Sequence, residues 1–169
     1  MLKPIASKSA RADGARFAII ASRYNGRYVD AMLRAALAEL RKAGVKKVEV
    51  TRVPGAFEIP VVAARLAGEA CNHSTGNSLP PGPGLGAIIC LGVILRGETA
   101  HAAHIGEAVT HALMDLQLQY RIPIIHTVLL LENDAQARVR CLDRKHNRGI
   151  EATRTALTMA TVMKKVARS

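Results

Sequence analysis

The sequence predicts an α/β protein with a parallel sheet covered by helices on both faces. Short, continuously apolar runs alternate with longer runs in which apolar residues recur at helical spacing. Strands that are buried on both faces of a parallel sheet have this continuously apolar character. Turn signals rich in glycine, proline and asparagine separate the runs. The resulting order β-α-β-α-β-α-β-α predicts right-handed crossovers between parallel strands.

Two strand–helix pairs make up the first half of the chain. The run at Phe17–Ser22 is apolar throughout, which predicts a strand buried on both faces. Apolar residues at helical spacing predict a helix over Tyr28–Ala43, and Gly44 ends it. We predict the second strand at Val45–Val53 and the second helix at Phe57–Ala70.

The second half begins with residues 71–84, which are rich in proline, glycine, serine and asparagine and predict a surface loop insertion. An apolar strand follows at Leu85–Leu91, and a helix is predicted at His101–Gln119. The fourth strand is predicted at Ile122–Leu131, and a last helical region opens at Glu132.

Length and composition predict a single globular domain. The chain has 169 residues, enough to bury a core, and 49% of them are hydrophobic. We assign residues 1–16 to an N-terminal arm and residues 17–169 to the domain. Aromatic residues make up only 3%, which argues against an aromatic platform for single-stranded nucleic acid. The net charge of +11 suits a phosphorylated substrate, nucleic acid or an acidic partner, and equally a solvated helix face.

Cysteine usage predicts a reducing, cytoplasmic location. Cys71, Cys90 and Cys141 are odd in number, widely spaced and form no C-x-x-C pair, which argues against a disulfide framework or a zinc ribbon. Cys90 ends its predicted strand as a small core residue. The first residues contain no apolar stretch typical of a secretory signal, and no run reaches the length of a membrane span.

Two runs, Val53–Pro60 and Leu91–His101, lie where a predicted strand gives way to a helix, the place at which parallel sheets bind ligands. Gly97-Glu98-Thr99 offers free backbone N–H groups to an anion such as phosphate, although Thr99 serves equally well as a plain N-cap. His101 has the chemistry for proton transfer near neutral pH. A surface or core histidine without a catalytic role is the alternative.

Three further side chains have suitable chemistry but are weak indications alone. Tyr24 follows the first strand and can stack on a planar heterocycle. Glu58 lies at the start of the second predicted helix, where it can accept hydrogen bonds from a ligand's ring N–H groups or stabilise the helix dipole. Arg140 lies in the last helical region and can pair bidentately with phosphate.

A metal site is the alternative interpretation of one helix face. His104, Glu107 and His111 are spaced so that they share a face of the third helix. No further candidate metal ligands are evident in the sequence. Amphipathic helices routinely place such residues on their solvent-exposed face. The sequence therefore predicts no metal.

Taken together, these residues resemble the lumazine synthase family (6,7-dimethyl-8-ribityllumazine synthases). The resemblance runs from about Phe17 to Met163. Its most specific parts are the two runs VPGAFEIP and L-G-x-x-x-R-G-x-T-x-H. The others are Arg23-Tyr24-Asn25, Ile122-Pro123-Ile124, Glu132-Asn133-x-x-Gln136-Ala137 and Asn147-Arg148-Gly149.

The resemblance implies a flavodoxin-like three-layer sandwich with a four-stranded parallel sheet. It implies a transferase of riboflavin biosynthesis that joins 5-amino-6-(D-ribitylamino)uracil to 3,4-dihydroxy-2-butanone 4-phosphate and releases phosphate and water, without metal or organic cofactor. It also implies active sites between neighbouring subunits of a homopentamer. In many members the pentamers close into an icosahedral shell, and the sequence leaves open whether they do so here.

By motif position, one subunit is implied to supply most of the site. Tyr24 stacks on the pyrimidine where phenylalanine or tryptophan is usual, and His101 transfers protons. The ribityl and pyrimidine pocket is lined by Ala56, Phe57 and Glu58, with backbone contacts from Val93 and Ile94. The phosphate is held by Gly97, Glu98 and Thr99.

The neighbouring subunit is implied to supply the rest. Arg140 binds the phosphate, Arg148 stands where lysine is common, and His126 stands where many members have phenylalanine. His126 is expected to make its wall of the pocket more polar. Ala103 replaces a usual aspartate, which is expected to leave His101 less firmly oriented, and His104 is a candidate to compensate.

Two other functions fit parts of the sequence. A flavin-binding module of similar fold would need a hydroxyl-rich phosphate loop, which the turn at Ser22–Gly26 lacks. A basic scaffold or nucleic-acid-binding protein would use the cations after Arg138 and bind in a strongly salt-dependent way. Incidental nucleic-acid binding is compatible with catalysis.

Overall fold

The computed structural model describes residues 14–72 and 84–167. Four strands form one parallel sheet with the spatial order β2-β1-β3-β4. Their bounds are β1 Arg16–Ser22, β2 Val48–Val53, β3 Leu85–Leu95 and β4 Ile124–Leu131. The predicted insertion at 71–84 and the predicted arm at 1–16 lie largely outside the described residues.

In the part of the chain that the structure describes, five helices and one π-helical turn cover the sheet. They are α1 Gly26–Lys42, α2 Ile59–Asn72, α3 His101–Tyr120, α4 Asp134–Ala137, the π turn Arg138–Leu142 and α5 Arg148–Val166. The α1, α4 and α5 helices pack on one face of the sheet, and α2 and α3 on the other. The predicted α/β three-layer architecture is confirmed.

The third strand is longer than predicted. It continues from Leu91 to Leu95 because β4 pairs with it residue by residue as far as Leu95 opposite Leu131. The backbone N–H of Arg96 extends the pairing by donating to the Leu131 carbonyl at 2.8 Å. Cys90 therefore lies in the middle of β3, fully buried, and not at its end.

The second strand begins later than predicted, at Val48. The Val45 N–H donates to the Leu40 carbonyl at 3.1 Å and so still belongs to the end of α1. Gly44 has a positive φ of 78°, a conformation that glycine adopts without strain, and it turns the chain there. The two lysines that follow are exposed and precede the sheet.

The α5 helix lies against α1 at very short range. Gly149 contacts the Met32 backbone so closely that a Cβ would collide with the Met32 carbonyl group. Asn147 caps the helix by accepting the Gly149 N–H at 2.9 Å. This contact fixes where α5 starts, and with it the position of Arg148. Within residues 14–72 and 84–167, no helix is long and apolar enough to cross a bilayer.

Candidate active site

Hydrogen bonds between the loops that follow β1, β2 and β3 hold the carboxyl ends of these strands close together. The chain leaves β1 toward β2 and later crosses to β3 on the other side, so a topological switch point lies between β1 and β3. Asn25, in the left-handed region at φ 55°, bridges that point by donating from Nδ2 to the Val93 carbonyl at 2.8 Å. The Tyr24 N–H donates to the Pro54 carbonyl at 2.9 Å. These bonds bring the loops after all three strands to one place.

Two large aromatic side chains are exposed to solvent at this end of the sheet. Tyr24 is 74% exposed and Phe57 is 61% exposed. Phe57 and Glu58 lie in the turn before α2, which begins at Ile59 and not at Phe57 as predicted. Ala56 is buried beneath them. Exposed rings next to a switch point are suited to stacking on a planar ligand.

Glu58 has a structural partner that the sequence did not indicate. Its Oε2 atom accepts a hydrogen bond from the Gly55 N–H at 2.8 Å. A side chain at Gly55 would press against the same carboxylate oxygen. The Gly55–Glu58 bond closes the turn after β2 and holds the carboxylate at the edge of the sheet.

The residues after β3 form an exposed bend. Val93 and Ile94 are buried within the strand itself, and Gly97, Glu98 and Thr99 follow it in the open. Ala100 is the N-cap of α3 and no side chain caps the helix, so the N-cap interpretation of Thr99 is wrong. The backbone N–H groups at this helix start therefore remain available to an anion.

His101 is the first residue of α3 and is exposed. Within the described part of the chain, its ring has no hydrogen-bond partner. His104 is also exposed, and within the described residues no hydrogen bond joins its side chain to the ring of His101.

A second group of predicted residues lies elsewhere, along β4. His126, Arg140 and Arg148 line a groove of about 830 Å³ that follows the free edge of this strand. Gln136 and Glu151 lie in the same groove, and Glu151 forms an ion pair with Arg148. The groove thus combines two guanidinium groups with one carboxylate.

The free edge of β4 is partly closed by side chains of its own chain. The Ile124 N–H donates to Gln117 Oε1 at 2.9 Å, and the Glu132 N–H donates to Gln136 Oε1 at 3.1 Å. The Val128 N–H donates to Nδ1 of His126 at 3.1 Å. Unpaired strand edges invite pairing with another chain, and capped N–H groups reduce that tendency.

Arg140 is placed by a segment that sequence reasoning did not single out. It lies on the π turn after the four-residue helix α4, and helices this short need tertiary contacts to persist. Tyr28 of α1 supplies one, because its hydroxyl donates to Asp134, whose other oxygen pairs with Arg138 at 2.5 Å. Tyr28 and Asp134 are 106 residues apart, so no local sequence pattern indicated this contact.

Replacing Tyr28 with phenylalanine is expected to release this anchor. The hydrogen bond from Tyr28 is the main reason that the pKa of Asp134 is lowered from its usual value. A lowered carboxyl pKa stabilises the fold above the unfolded-state pKa, and this contribution is lost as pH falls through the folded-state pKa. In Tyr28→Phe the pKa of Asp134 should rise toward its ordinary value, and acid unfolding should depend less on pH. Carboxyl titration by NMR measures the first effect, and an unchanged Asp134 would contradict it.

The three residues of the candidate metal face, His104, Glu107 and His111, are all exposed on α3. Among the residues that the structure describes, no group of three or more histidine, cysteine, aspartate or glutamate side chains is placed to hold a metal ion.

Comparisons with known proteins point to one family. The family model for 6,7-dimethyl-8-ribityllumazine synthase matches residues 14–164. A protein of that name from Xylella fastidiosa (strain M12) is 37% identical over 158 residues, 92% of this chain and 94% of the relative. The Stenotrophomonas maltophilia (strain R551-3) protein is 35% identical, covering 91% and 92%. The Xanthomonas oryzae pv. oryzae (strain PXO99A) protein is 38% identical, covering 88% and 90%.

Proposed function

The chain belongs to the 6,7-dimethyl-8-ribityllumazine synthase family, and from this premise we propose how its residues carry out the family's reaction. The protein is a transferase of riboflavin biosynthesis. It condenses 5-amino-6-(D-ribitylamino)uracil with 3,4-dihydroxy-2-butanone 4-phosphate, and phosphate and water leave. The flavin-binding module and the basic scaffold are not favoured.

The observation that carries the proposed site is the division of its residues into two groups. One group lies at the carboxyl ends of β1 to β3, and the other lines the groove along β4. The first has exposed rings, a free helix start and the exposed imidazole of His101; Arg23 and Arg96 also lie there, and Arg96 is paired with Glu132. The second has Arg140 and Arg148, while both ring nitrogens of its histidine, His126, are engaged within the chain. The proposed proton-transfer group and the proposed phosphate-binding arginines thus lie in different parts of the fold, which supports a site built from two subunits.

The proposed chemistry follows from these parts. Tyr24 and Phe57 hold the pyrimidine, and Glu58 accepts its ring N–H groups. The substrate amine attacks the ketone and water leaves to form an imine, after which phosphate departs and a second amine closes the ring with loss of water. His101 shuttles the protons. The start of α3 at Gly97–Thr99 and the neighbour's Arg140 stabilise the departing phosphate.

Such a site requires an assembly, and we propose a homopentamer as its smallest form. Large apolar side chains remain exposed on the outer faces of α2 and α3, as interfaces between copies require. They are Val61 at 68%, Met114 at 52% and Leu118 at 68% exposed. Each pentamer would hold one site at every contact between neighbours.

Mixing two impaired variants, assayed at a butanone phosphate concentration below KM, tests the shared site. His101→Ala and Arg140→Ala chains are unfolded together and refolded as mixed oligomers. If neighbours share the site, roughly a quarter of the contacts in a 1:1 mixture pair two intact halves, and activity returns to about that fraction. Assembly of each variant alone is the control.

A site confined to one subunit gives a different result. Every chain in the mixture then carries one defect, and activity stays at the level of the separate variants. Fluorescence of the lumazine product measures both outcomes.

A further inference from the structure

Both ring nitrogens of His126 are engaged within the chain itself. Nδ1 accepts the Val128 N–H at 3.1 Å, and Nε2 lies 2.8 Å from the hydroxyl oxygen of Thr110 on α3. Ile124 and Val128 pack into the core between the sheet and the α2 and α3 helices. Because side chains alternate along a strand, His126 lies on the same face, against α3.

The chemistry of the partners fixes where the protons are. A backbone N–H only donates, so Nδ1 of His126 carries no proton. The Thr110 hydroxyl donates to the Gly106 carbonyl at 2.7 Å, one helical turn earlier. Its oxygen therefore accepts, and Nε2 of His126 is the donor. His126 is a neutral imidazole with its proton on Nε2.

We propose that Thr110 is a positioning residue that holds His126 as a flat, uncharged wall of the substrate pocket. The proposal rests on the proposed function, in which the neighbouring subunit's β4 groove closes the site. With both nitrogens occupied, the imidazole offers a ligand its face and no free polar atom. This differs from the polar wall that the sequence predicts for a histidine here.

The neutral state of His126 matters because charged side chains line the same groove. Arg140 and Arg148 already supply two cations, with Glu151 as the carboxylate. A third cation at His126 would draw the phosphate of the second substrate away from Arg140. Partial burial lowers the pKa of His126, and protonation at Nδ1 would also cost the bond from Val128.

The other titratable groups near the His126 ring do not disturb its neutral state. Cys90 is the register partner of His126 on β3, and burial raises the pKa of its thiol, which stays neutral. Glu107 and His111 flank Thr110 on α3, and both are exposed to solvent.

A double-mutant cycle separates positioning from packing. Thr110→Val keeps the shape of the side chain and removes the acceptor. It should raise KM for the ribitylaminouracil about two- to tenfold, as the loss of one hydrogen bond does, with KM for the butanone phosphate unchanged. In a His126→Phe background, Thr110→Val should change neither KM, because no Nε2–H needs a partner. An equal effect in both backgrounds, or none in either, overturns the proposal.

Thr158→Val is the matched control. Thr158 on α5 makes the same bond to the carbonyl four residues earlier, at 2.9 Å to Arg154, and lies outside the groove. This variant removes a helical threonine hydroxyl and should leave both KM values unchanged.

The tautomer itself is measured without catalysis, in the assembled protein with ¹⁵N-labelled histidine. At neutral pH the NMR spectrum should show His126 as the Nε2–H tautomer. Thr110→Val should shift the Nε2–H resonance, because that proton loses its acceptor, while the Val128 N–H keeps the tautomer unchanged. A dominant Nδ1–H form or imidazolium in the unaltered protein overturns the proposal. Because this readout needs no substrate, its failure is distinguishable from failure of the proposed function.

Discussion

Replacing His101 with alanine is expected to lower kcat by about 10²–10⁴-fold, the usual contribution of a general acid or base, with little change in either KM. In the proposed mechanism the imidazole acts on protons that move only during the reaction, so its removal costs transition-state stabilisation and leaves ground-state binding intact. In the proposed site, Tyr24, Phe57 and the helix start would still hold the substrates. Steady-state kinetics with each substrate varied in turn measures the split between kcat and KM.

We expect the His101→Ala enzyme to retain a residual rate of condensation. An amine and a ketone held side by side condense without a catalyst, so positioning alone accounts for much of the acceleration. His111→Ala removes another exposed histidine from the same helix and should leave the kinetics unchanged. A His101→Ala enzyme with the full kcat would show that solvent carries the protons and that His101 has no part in the chemistry.

The fold was predictable because its two central strands, β1 and β3, are buried on both faces. The runs Phe17–Ser22 and Leu85–Leu91 are continuously apolar. Such runs identify buried strands without any need to decide which face of the strand points to the core. The predicted bounds were wrong at the ends of strands, because a strand ends where its pairing with a neighbour ends. The end of β3 at Leu95 depends on its partner strand, and the start of β2 at Val48 depends on how α1 ends. Neither is encoded in the local pattern.

The sequence motifs named Phe57, Glu58 and His101, which the structure places after the carboxyl ends of β2 and β3. Their roles in the site remain predictions. The contacts that hold the second group were not predictable, because they join distant parts of the chain. Tyr28 and Asp134 are 106 residues apart, and Thr110 and His126 are 16 apart on different elements. No local spacing indicates such pairs.

Replacing Arg140 with alanine is expected to raise KM for the butanone phosphate about 10–100-fold, because hydrogen bonds to a charged partner are worth more than neutral ones. KM for the ribitylaminouracil should change little. Inorganic phosphate, as a competitive inhibitor, should weaken in parallel. Arg140→Lys should fall between the two enzymes, since lysine keeps the charge and loses the planar fork that grips phosphate at two points.

Arg144→Ala separates this local role from the loss of one positive charge. Arg144 follows the same π turn, is exposed and lies outside the groove along β4. If Arg144→Ala weakened the phosphoester as much as Arg140→Ala, the net charge of +11 would be attracting the substrate from a distance, and the effect would fade with added salt. A direct contact instead gives an effect confined to Arg140 that persists at high ionic strength. Saturation of Arg140→Ala at the unaltered KM would remove this residue from the phosphate site, and with it the main reason for placing the β4 groove of one subunit against the switch point of the next.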